Sequence, residues 1–473
     1  MKLLDYKLIY FLGIGGIGMS ALARYFNHYG IRVAGYDKTP TTLTSELQSE
    51  NMEVHFDENA EYLEHLLAEY KKNEVLIVYT PAVPRDHAEF VYLQKNFYVI
   101  NKRSEVLGAI TKNFKTIAIA GTHGKTTTSS LVAHILKVAG FNAYAFLGGI
   151  TKNYNTNLLL GQSPSPAEEG LGIRSQENTY VVVEADEYDR SFLTLYPYIG
   201  VITSVDADHL DIYGDVKFMH DSYAMFAGQV KGELIVKKSV DNTLALKAKR
   251  HTYGVNLEAD FCANNIEIHD ADFYFDVKSS LSSFNHALLG IPGEHNIENA
   301  VAAIAVAQLL KIESPVIKKA LQSFSGVKRR FDYRIKTKEV VYIDDYAHHP
   351  EELKAAIGAA KALYPNKKVT GIFQPHLFTR TRDFADGFAQ SLDMLDECIL
   401  LDIYPAREKP IEGITSQMLL DKMKSQNKKL VQKNEVLDFL KTHDTKVLMT
   451  LGAGDIDTLV EPIEKLLREK FKI

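Results

Sequence analysis

Short apolar runs rich in β-branched residues recur along the chain, and most are followed by stretches with helical apolar spacing. The runs cover residues 7–12, 31–36, 75–79, 116–120, 180–183, 200–203, 339–343, 369–373, 399–403 and 447–451. Residues 351–363 and 456–471 have the spacing of amphipathic helices. Strands that alternate with helices predict parallel sheets covered by helices on both faces. We therefore expect an α/β protein that binds its ligands at the carboxyl ends of the strands.

The chain length of 473 residues is enough for about three domains of ~150 residues each. We expect a Rossmann-like domain over residues 1–108, a central P-loop ATPase-type domain over 109–326 and a second Rossmann-like domain over 327–473. The first boundary precedes the strand that enters a phosphate loop, and the second precedes a basic segment. Residues 161–178, rich in Ser, Pro, Glu and Gly, are predicted to form an exposed surface loop.

Composition excludes several classes of protein. With 46% hydrophobic and 24% charged residues, the chain is neither disordered nor collagen-like. A net charge of −6 gives no general attraction to nucleic acid or anionic membranes. Only Cys262 and Cys398 are present, which suits a reducing cytoplasm. The apolar residues 8–19 follow Lys2 and Lys7 as in a secretion signal, but they carry four glycines that such a signal does not require.

No apolar run reaches the ~18 residues that a membrane helix needs. We therefore expect a cytoplasmic enzyme without nucleic-acid or membrane partners. We expect it to work as a monomer or a weak homodimer.

The most specific motif is a glycine- and threonine-rich loop that follows the strand predicted to end at residue 120. It consists of Gly121, Thr122, His123, Gly124, Lys125, Thr126 and Thr127. Small residues let backbone amides surround phosphate oxygens, and the following helix adds the positive end of its dipole. Lys125 can neutralise the β- and γ-phosphates, and Thr126 can offer its hydroxyl to Mg²⁺. The glycine of the full signature is replaced by Ile119, but the order of strand, Gly-Lys-Thr and helix favours ATP binding over a chance glycine turn.

A second glycine cluster lies near the start of the chain, also between a predicted strand and a helix. Its glycines are Gly13, Gly15, Gly16 and Gly18, and Asp37 follows the next strand, 24 residues after Gly13. This is the dinucleotide fingerprint, in which the acidic residue contacts a ribose hydroxyl. The motif predicts a nucleotide diphosphate without saying which nucleotide. Two nucleotide loops in one chain suggest ATP together with a nucleotide-linked substrate.

Acidic loops end two successive strands of the predicted central domain. The first contains Glu184, Asp186, Glu187 and Asp189, and the second contains Asp206, Asp208, His209 and Asp211. Carboxylates at strand ends beside a phosphate loop are placed to hold Mg²⁺. The oxygen preference of Mg²⁺ favours Asp208 or Asp211 over His209. A solvated acidic loop that happens to contain a histidine remains the alternative.

Further polar motifs lie downstream. Asn296 and Asn299, at the start of an apolar helix, either contact a base edge or cap the helix, and the residues alone favour capping. Two loops of the C-terminal domain each follow a predicted strand, and they carry His348, His376, Arg380 and Arg382. Histidine and arginine at one end of a sheet predict an anion or carboxylate site. Surface charge at the loop tips is the alternative.

Together these segments resemble the Mur ligase family, in order and over essentially the whole chain. The matching stretches are residues 13–20 (GIGGIGMS), 121–127 (GTHGKTT), 184–189 (EADEYD), 208–211 (DHLD), 294–300 (EHNIENA), 328–331 (KRRF), 344–350 (DDYAHHP), 373–376 (FQPH) and 380–383 (RTRD). GTHGKTT is similar throughout the superfamily. GIGGIGMS together with FQPH and RTRD resembles the branch of the family that adds L-alanine.

The resemblance implies a reaction with ATP and Mg²⁺ as cofactors. ATP would phosphorylate the lactyl carboxylate of UDP-N-acetylmuramate, and the amine of L-alanine would attack the acyl phosphate, with ADP and phosphate as the other products. This is a step of peptidoglycan precursor synthesis, on which cell wall biogenesis, cell shape and cell division depend. Such chemistry needs alignment and positive charge rather than covalent protein groups.

The resemblance also implies residue roles. The metal ligands would be Thr126, Glu184 and His209. The resemblance thus favours His209 over Asp208 and Asp211, although Mg²⁺ generally prefers oxygen ligands. Lys125, Glu184, His209, His348 and Arg380 would be catalytic, and the adenine nucleotide would meet the phosphate loop, Asn296, Arg330 and Asp345. UDP-N-acetylmuramate and L-alanine would contact Gly15, Gly16, Ile17, Gly18, Asp37, His376, Arg380 and Arg382. The family often has arginine where this chain has Leu377, so Arg382 is a candidate replacement. Ligands from all three domains imply domain closure before chemistry.

Other functions remain open at this level. A dehydrogenase could use NAD at the first glycine loop, although the phosphate loop would then have no role. An ATP-gated binding module could switch conformation without ligation. The same fold could also use another acceptor, such as folate with glutamate, or it could recycle the tripeptide L-Ala-γ-D-Glu-diaminopimelate onto UDP-N-acetylmuramate.

Overall fold

Three β-sheets with helices between their strands organise the protein, as the computed structural model shows. The structure describes residues 3–161, 179–207, 210–269, 272–406 and 408–473. The predicted surface loop at 161–178 lies almost entirely outside these ranges. The predicted α/β class is confirmed.

The first sheet is parallel, with the strand order β3-β2-β1-β4-β5. The apolar stretch that could have been a secretion signal forms the fully buried central strand and the start of the helix after it. The strands are β1 (Leu8–Leu12), β2 (Arg32–Tyr36), β3 (Glu53–His55), β4 (Val75–Tyr79) and β5 (Ile100–Lys102). The helices are α1 (Ile17–His28), α2 (Thr42–Ser49), α3 (Ala60–Ala68), α4 (Ala88–Lys95) and α5 (Arg103–Thr111).

The second sheet has ten strands in the order β15-β14-β13-β12-β11-β10-β6-β9-β7-β8. The strands are β6 (Lys115–Ala120), β7 (Ala143–Thr151), β8 (Thr156–Leu159), β9 (Tyr180–Ala185), β10 (Ile199–Ile202), β11 (Glu233–Lys237), β12 (His251–Val255), β13 (Phe261–His269), β14 (Asp272–Ser279) and β15 (Phe284–Leu289). The helices are α6 (Lys125–Val138), α7 (Leu210–Tyr213), α8 (Val216–Gln229), α9 (Lys238–Leu244), α10 (Glu294–Leu309) and α11 (Ser314–Ser323). Strand β6 lies between β9 and β10, so both predicted acidic loops follow its direct neighbours.

The third sheet has the order β16-β17-β21-β18-β19-β20. Its strands are β16 (Asp332–Lys336), β17 (Val341–Asp345), β18 (Val369–Phe373), β19 (Glu397–Leu400), β20 (Lys428–Leu430) and β21 (Val447–Leu451). The helices are α12 (Pro350–Leu363), α13 (Phe378–Asp383), α14 (Ala385–Leu392), α15 (Ser416–Lys422), α16 (Val436–Thr442) and α17 (Val460–Phe471).

The structure differs from the predicted elements mainly at their ends. Strand β17 begins at Val341 instead of residue 339, because Thr337 and Val340 form a turn there. Strand β19 is shifted to Glu397–Leu400 from the predicted 399–403. The sheets are not purely parallel, since β7 pairs with β8 and β16 with β17 in antiparallel fashion.

The chain divides into two compact units. The first comprises Met1–Asn264, Val277–Asn285 and Asn299–Leu321, and the second comprises Asn265–Asp276, His286–Glu298 and Gln322–Ile473. The first two sheets lie mainly in the first unit, and the third sheet lies in the second. The three predicted domain ranges stay a prediction. Among the described residues, no helix is both long and apolar enough to cross a membrane.

Within the first unit, helix α1 packs on strands of two different sheets. The Tyr25 ring lies 6.2 Å from the ring of Tyr144 and 5.5 Å from that of Phe146, both on β7. Arg24 is buried and donates a hydrogen bond of 2.6 Å to Asn157 on β8. The helix that starts at the first glycine loop is therefore also part of the core beside the second sheet.

Candidate active site

The phosphate loop joins β6 to α6, and its two glycines have backbone angles that favour glycine. Gly121 has a φ of +137° and Gly124 a φ of +83°. A Cβ at Gly121 would lie 2.1 Å from Oγ1 of Thr203, and one at Gly124 would lie 2.5 Å from Oδ1 of Asn299. The loop is thus a tight cradle lined by backbone groups at the start of a 14-residue helix, as phosphate binding requires.

Lys125 is held inside this loop by several acceptors. Its Nζ lies 2.6 Å from the carbonyl oxygen of Gly121 and 3.3 Å from that of Thr122. The carboxylate oxygens of Glu187 lie 2.7 and 3.0 Å from the same nitrogen. Burial acts to lower the pKa of Lys125, but Glu187, Glu184 and Asp186 raise it above the ordinary value. The ammonium is therefore charged, and its partners in this structure are the loop carbonyls and Glu187.

Oxygen groups suited to Mg²⁺ meet beside the loop. The hydroxyl of Thr126 donates a hydrogen bond of 2.9 Å to the Glu184 carboxylate. Glu184 lies on β9 instead of in the predicted loop, because the strand extends to Ala185. Gly148 on β7 makes room for this side chain, since a Cβ there would lie 2.0 Å from Glu184 Oε2. A hydroxyl and a carboxylate in contact fit a hard cation, whereas His209 and Asp208 lie outside the described residues.

The residues from 184 to 189, called here the acidic segment, pair with three cations. Glu187 contacts Lys125 of the phosphate loop, as described above. Asp186 accepts a hydrogen bond of 3.0 Å from Arg103, and Asp189 accepts one of 2.6 Å from Lys102. Both of these cations lie where β5 passes into α5 of the first sheet. The acidic segment therefore links the phosphate loop with the carboxyl end of the first sheet.

A cleft of about 270 Å³ connects the first glycine loop with the acidic segment. Its wall includes Gly16, Ile17 and Gly18 on one side and Glu184 and Asp186 on the other. Arg103 also lines the cleft, and a Cβ at Gly18 would lie only 2.7 Å from its guanidinium. The two motifs that the sequence predicted separately thus share one cavity.

Asp37 follows β2 beside the same glycine loop, as predicted. Its carboxylate accepts a hydrogen bond of 2.7 Å from the backbone nitrogen of Gly15. A Cβ at Gly15 would lie 2.8 Å from Oδ2 of Asp37. The close approach leaves room only for glycine at this position, and it places the acidic group at the end of β2 where a ribose would need it.

In the second unit, the predicted histidine and arginine loops meet at the carboxyl ends of β17 and β18. The rings of His348 and His376 are 6.2 Å apart. Arg380 on α13 is buried, whereas Arg382 is half-exposed and pairs with Asp383 at 2.7 Å. The structure thus brings His348 and His376 together, while Arg380 is buried on the helix that follows and Arg382 turns to a neighbour on the same helix.

Asp345 and Arg330 lie at the same end of the third sheet. The Asp345 carboxylate accepts hydrogen bonds of 2.7 Å from the backbone nitrogens of Phe331 and Ala347. Burial raises the pKa of Asp345 to about 6, although Arg330 lowers it. The guanidinium of Arg330 lies 5.2 Å from the centre of the Tyr346 ring. This aromatic and cationic pair is a flat surface on which a base can stack.

Two asparagines at the start of α10 differ from the capping prediction. The helix begins at Glu294, so neither residue is its N-cap, and that interpretation is wrong. Asn296 is buried and donates a hydrogen bond of 2.5 Å to the carbonyl oxygen of Pro292. Asn299 accepts a hydrogen bond of 3.3 Å from Thr128 on α6 and therefore supports the phosphate loop.

Residue Leu377, where the Mur family often has arginine, precedes α13 with a φ of +70°. A left-handed backbone angle is strained for a leucine. Its backbone nitrogen donates a hydrogen bond of 3.0 Å to Tyr404, which helps to hold this conformation. Leucine has no side-chain donor, so the contact that an arginine would make is absent at this position.

Sequence reasoning missed two residues of the site, Arg103 and Glu187. Arg103 directly follows β5, which pairs with β4 beside the first glycine loop. An arginine at the carboxyl end of a strand was the sequence feature that could have identified it as a site residue. Glu187 was noted only as one member of an acidic loop. Its pairing with Lys125 depends on the turn after β9, which residue spacing does not reveal.

Comparisons with known proteins agree over nearly the whole chain. Residues 8–115 match the family described as "Mur ligase family, catalytic domain", 119–307 match "Mur ligase middle domain", and 329–456 match "Mur ligase, glutamate ligase domain". The UDP-N-acetylmuramate–L-alanine ligase of Flavobacterium psychrophilum is 50% identical over 470 residues, which cover 99% of this chain and 100% of the relative. That of Cytophaga hutchinsonii is 47% identical over 100% of this chain and 99% of the relative.

Solved structures give the same picture. The crystal structure of UDP-N-acetylmuramate-alanine ligase from Thermotoga maritima matches with a TM-score of 0.80 and 26% identity, over 98% of this chain and 99% of that one. A murein peptide ligase from Psychrobacter arcticus matches with a TM-score of 0.72 and 21% identity, over 98% of both chains. The second likeness shows the fold alone.

Proposed function

The chain belongs to the Mur ligase family, and on this basis we propose that it joins L-alanine to the lactyl carboxylate of UDP-N-acetylmuramate at the expense of ATP. The product is a precursor of peptidoglycan, so the reaction serves cell wall biogenesis. The observation that carries this proposal is the cleft between the first glycine loop and Glu184. A nucleotide diphosphate held at Gly16–Gly18 would extend its sugar along the cleft toward the phosphate loop.

The phosphate loop supports the first chemical step. Its backbone amides and Lys125 hold the β- and γ-phosphates, and the charge of Lys125 offsets the charge on the transferring phosphoryl group. Thr126 and Glu184 would hold Mg²⁺, which would neutralise negative charge on the phosphates. His209 is proposed as a further metal ligand from the resemblance alone. The lactyl carboxylate attacks the γ-phosphate, and the γ-phosphorus–oxygen bond to ADP breaks.

The second unit supplies the remaining groups. Asn296, Arg330 and Asp345 are proposed to contact the adenine nucleotide. His348, His376 and Arg380 are proposed to bind the L-alanine carboxylate and orient its amine. The amine attacks the acyl phosphate, and inorganic phosphate leaves from the tetrahedral intermediate. Arg382 points to Asp383 in this structure, so its part in substrate binding requires a change of side-chain conformation.

The remaining expectations are part of the proposal. ATP and Mg²⁺ are the cofactors, and no nucleic acid or membrane partner is needed. Two buried free cysteines, Cys262 and Cys398, suit a reducing compartment, which supports a cytoplasmic location. We expect a monomer or a weak homodimer, which light scattering after size-exclusion chromatography measures.

Phosphate release from ATP tests the function directly. The assay contains UDP-N-acetylmuramate and Mg²⁺, with or without L-alanine. Release that requires all components is expected, with serine and glycine as poor substitutes for alanine. Release only when L-Ala-γ-D-Glu-diaminopimelate replaces alanine would assign the protein to the recycling branch of the family. Equal rates with a bulky amino acid would contradict the proposed specificity.

A further inference from the structure

The proposed reaction leaves Glu187 without a role, although this residue is at the centre of the site. The side chain is 4% exposed and lies against the lysine of the phosphate loop. Its backbone carbonyl accepts a hydrogen bond of 2.6 Å from the hydroxyl of Tyr213. Glu187 is therefore held in place from two sides, by Lys125 and by Tyr213.

The hydrogen-bond capacity of Lys125 is fully used in this structure. An ammonium group has three N–H donors. One meets the Gly121 carbonyl oxygen at 2.6 Å, and the others reach the Thr122 carbonyl and the two Glu187 carboxylate oxygens, at 3.3, 2.7 and 3.0 Å. Phosphate oxygens can therefore bind Lys125 only if one of these acceptors gives way.

The acceptors differ in charge. The carbonyl oxygens belong to the loop itself and are neutral, so they are no substitute for a phosphate. The Glu187 carboxylate is the anionic partner, and it presents two oxygens about as far apart as two oxygens of one phosphate group. Its contact with Lys125 has the form that a bound phosphate would take. Exchange of one anion for another is the least disruptive way to fill the loop.

We propose that Glu187 is a positioning residue that stands in for phosphate on Lys125 in the nucleotide-free enzyme and is displaced when ATP binds. The proposal rests on the function proposed above, because it assumes that Lys125 meets nucleotide phosphates. Glu187 keeps the buried lysine extended and the loop preformed when no nucleotide is present. It also weakens nucleotide binding, because the ion pair must open first.

A buried tyrosine, Tyr223, is influenced by the charge of the Glu187 carboxylate. Its side chain is fully buried. Burial, and then the charge of Glu187, raise the pKa of the Tyr223 phenol well above its usual value. The phenol thus stays protonated, as a donor near Glu187.

The test compares nucleotide affinity in Glu187→Gln and wild-type protein. Isothermal titration with β,γ-methylene-ATP and Mg²⁺ at about pH 8 measures binding without turnover. Loss of the competing charge is expected to lower Kd about 5- to 10-fold, because the fraction of protein with an available Lys125 rises. In steady-state assays, KM for ATP falls while KM for the UDP-sugar is unchanged. A purely structural role for Glu187 predicts the opposite sign, with weaker binding of the analogue.

Two further variants keep the test decisive. Glu187→Asp keeps the charge on a shorter side chain. Its Kd for β,γ-methylene-ATP is therefore expected to lie near the wild-type value, or between the values of the wild type and Glu187→Gln. Asp189→Asn is the matched control, since it removes the ion pair with Lys102 from the same segment, and asparagine tolerates the local φ of +53°. Its Kd for the analogue is expected to equal that of the wild type.

The outcomes separate this inference from the proposed function. An unchanged or raised Kd in folded Glu187→Gln would overturn the inference while ligase activity of the wild type stood. Tighter binding in Glu187→Gln, together with a wild type that binds nucleotide but releases no phosphate, would support the inference and contradict the ligase. A wild-type protein that binds no nucleotide would overturn both.

Discussion

Two buried glutamates of this protein meet cations in opposite ways. Among the described residues, Glu187 in the first unit is paired with one cation, Lys125. Burial and the repulsion of Asp186 raise the pKa of Glu187 to about 7, although the charge of Lys125 lowers it. Glu397 in the second unit contacts His443, Lys368 and Lys429 at 2.6, 2.9 and 3.3 Å. Burial acts to raise its pKa as well, but hydrogen bonds from Lys368 and His443 lower it to about 2.

The difference distinguishes an ion pair that a ligand can replace from one that stabilises the fold. A buried charge with too few partners is costly, and such groups concentrate at functional sites. Glu187 is of this kind, and the phosphate loop beside it is where a stronger anion would bind. Glu397 has several donors, so its pairs contribute to stability. Loss of a cation should therefore affect activity at one site and stability at the other.

The largest effect is expected for Lys125→Ala. Without this cation, ATP-dependent phosphate release should fall on the order of 10³-fold or more, because charge on the transferring phosphoryl group is no longer offset. Binding of UDP-N-acetylmuramate, measured by titration, should change little, because we propose that this substrate binds at the first glycine loop, at the other end of the cleft. Equal loss of UDP-sugar binding would contradict the separation of the two sites.

The corresponding variant at Glu397 is Lys368→Ala, which also removes a lysine partner of a buried glutamate. It removes one of several partners of Glu397, and its side chain is 45% exposed. We expect unchanged phosphate release and a loss of about 0.5 kcal/mol in the free energy of unfolding. A fall in the activity of Lys368→Ala would contradict the assignment of Glu397 to stability and of Glu187 to function.

A smaller effect on activity is expected when the Glu184 carboxylate is displaced. Gly148→Ala places a Cβ where the Glu184 carboxylate now lies, so the carboxylate must leave Thr126. We expect kcat to fall about 100-fold, the effect of a misplacement of about 1 Å at a reacting centre, with a higher Mg²⁺ requirement. The control is Gly228→Ala near the end of α8, where the residue is exposed and a Cβ meets nothing within 4 Å. That control should keep activity and gain about 0.5 kcal/mol of stability.

The acidic segment also holds Arg103, which lines the cleft beside Gly18. If this pair too is exchangeable, Arg103 can turn from Asp186 to the diphosphate of the UDP-sugar. Arg103→Ala should then raise Kd for UDP-N-acetylmuramate about 30-fold, as for the loss of a charge-assisted contact. The Kd for β,γ-methylene-ATP should stay unchanged. Arg32→Ala, which removes a surface pair with Glu53, should change neither constant, and a matching rise there would point to a general charge effect.

A modest pH dependence of stability is expected from Glu397. Its folded pKa of about 2 lies below the ordinary 4.5 of the unfolded chain. A carboxyl of this kind contributes stability that is present above pH ~4.5 and lost as the pH falls toward ~2. We expect Glu397→Gln to remove about 1 kcal/mol of this acid-side dependence, measured by urea unfolding at a series of pH values. A variant with the wild-type slope would show that Glu397 is not the group responsible.

The sequence predicted the fold and the phosphate loop well, because both depend on local patterns. Apolar runs located the central strands, and the glycines of the phosphate loop are required by backbone angles that few other residues adopt. The prediction failed where tertiary packing decides the outcome. Asn296 was interpreted as a cap, yet the helix starts at Glu294, and the Glu187 pair arises only when β9 and β6 lie side by side.

The double packing of helix α1 has a consequence for protein engineering. A fragment cut at residue 108 would remove the partners that Arg24 and Tyr25 have on β7 and β8, and it would expose an aromatic face. The part of the chain that contains the first sheet is therefore not a cassette that can be exchanged at the predicted boundary at residue 108. A chimera between relatives should carry the first sheet together with β7 and β8 from the same parent, so that the helix keeps both of its surfaces.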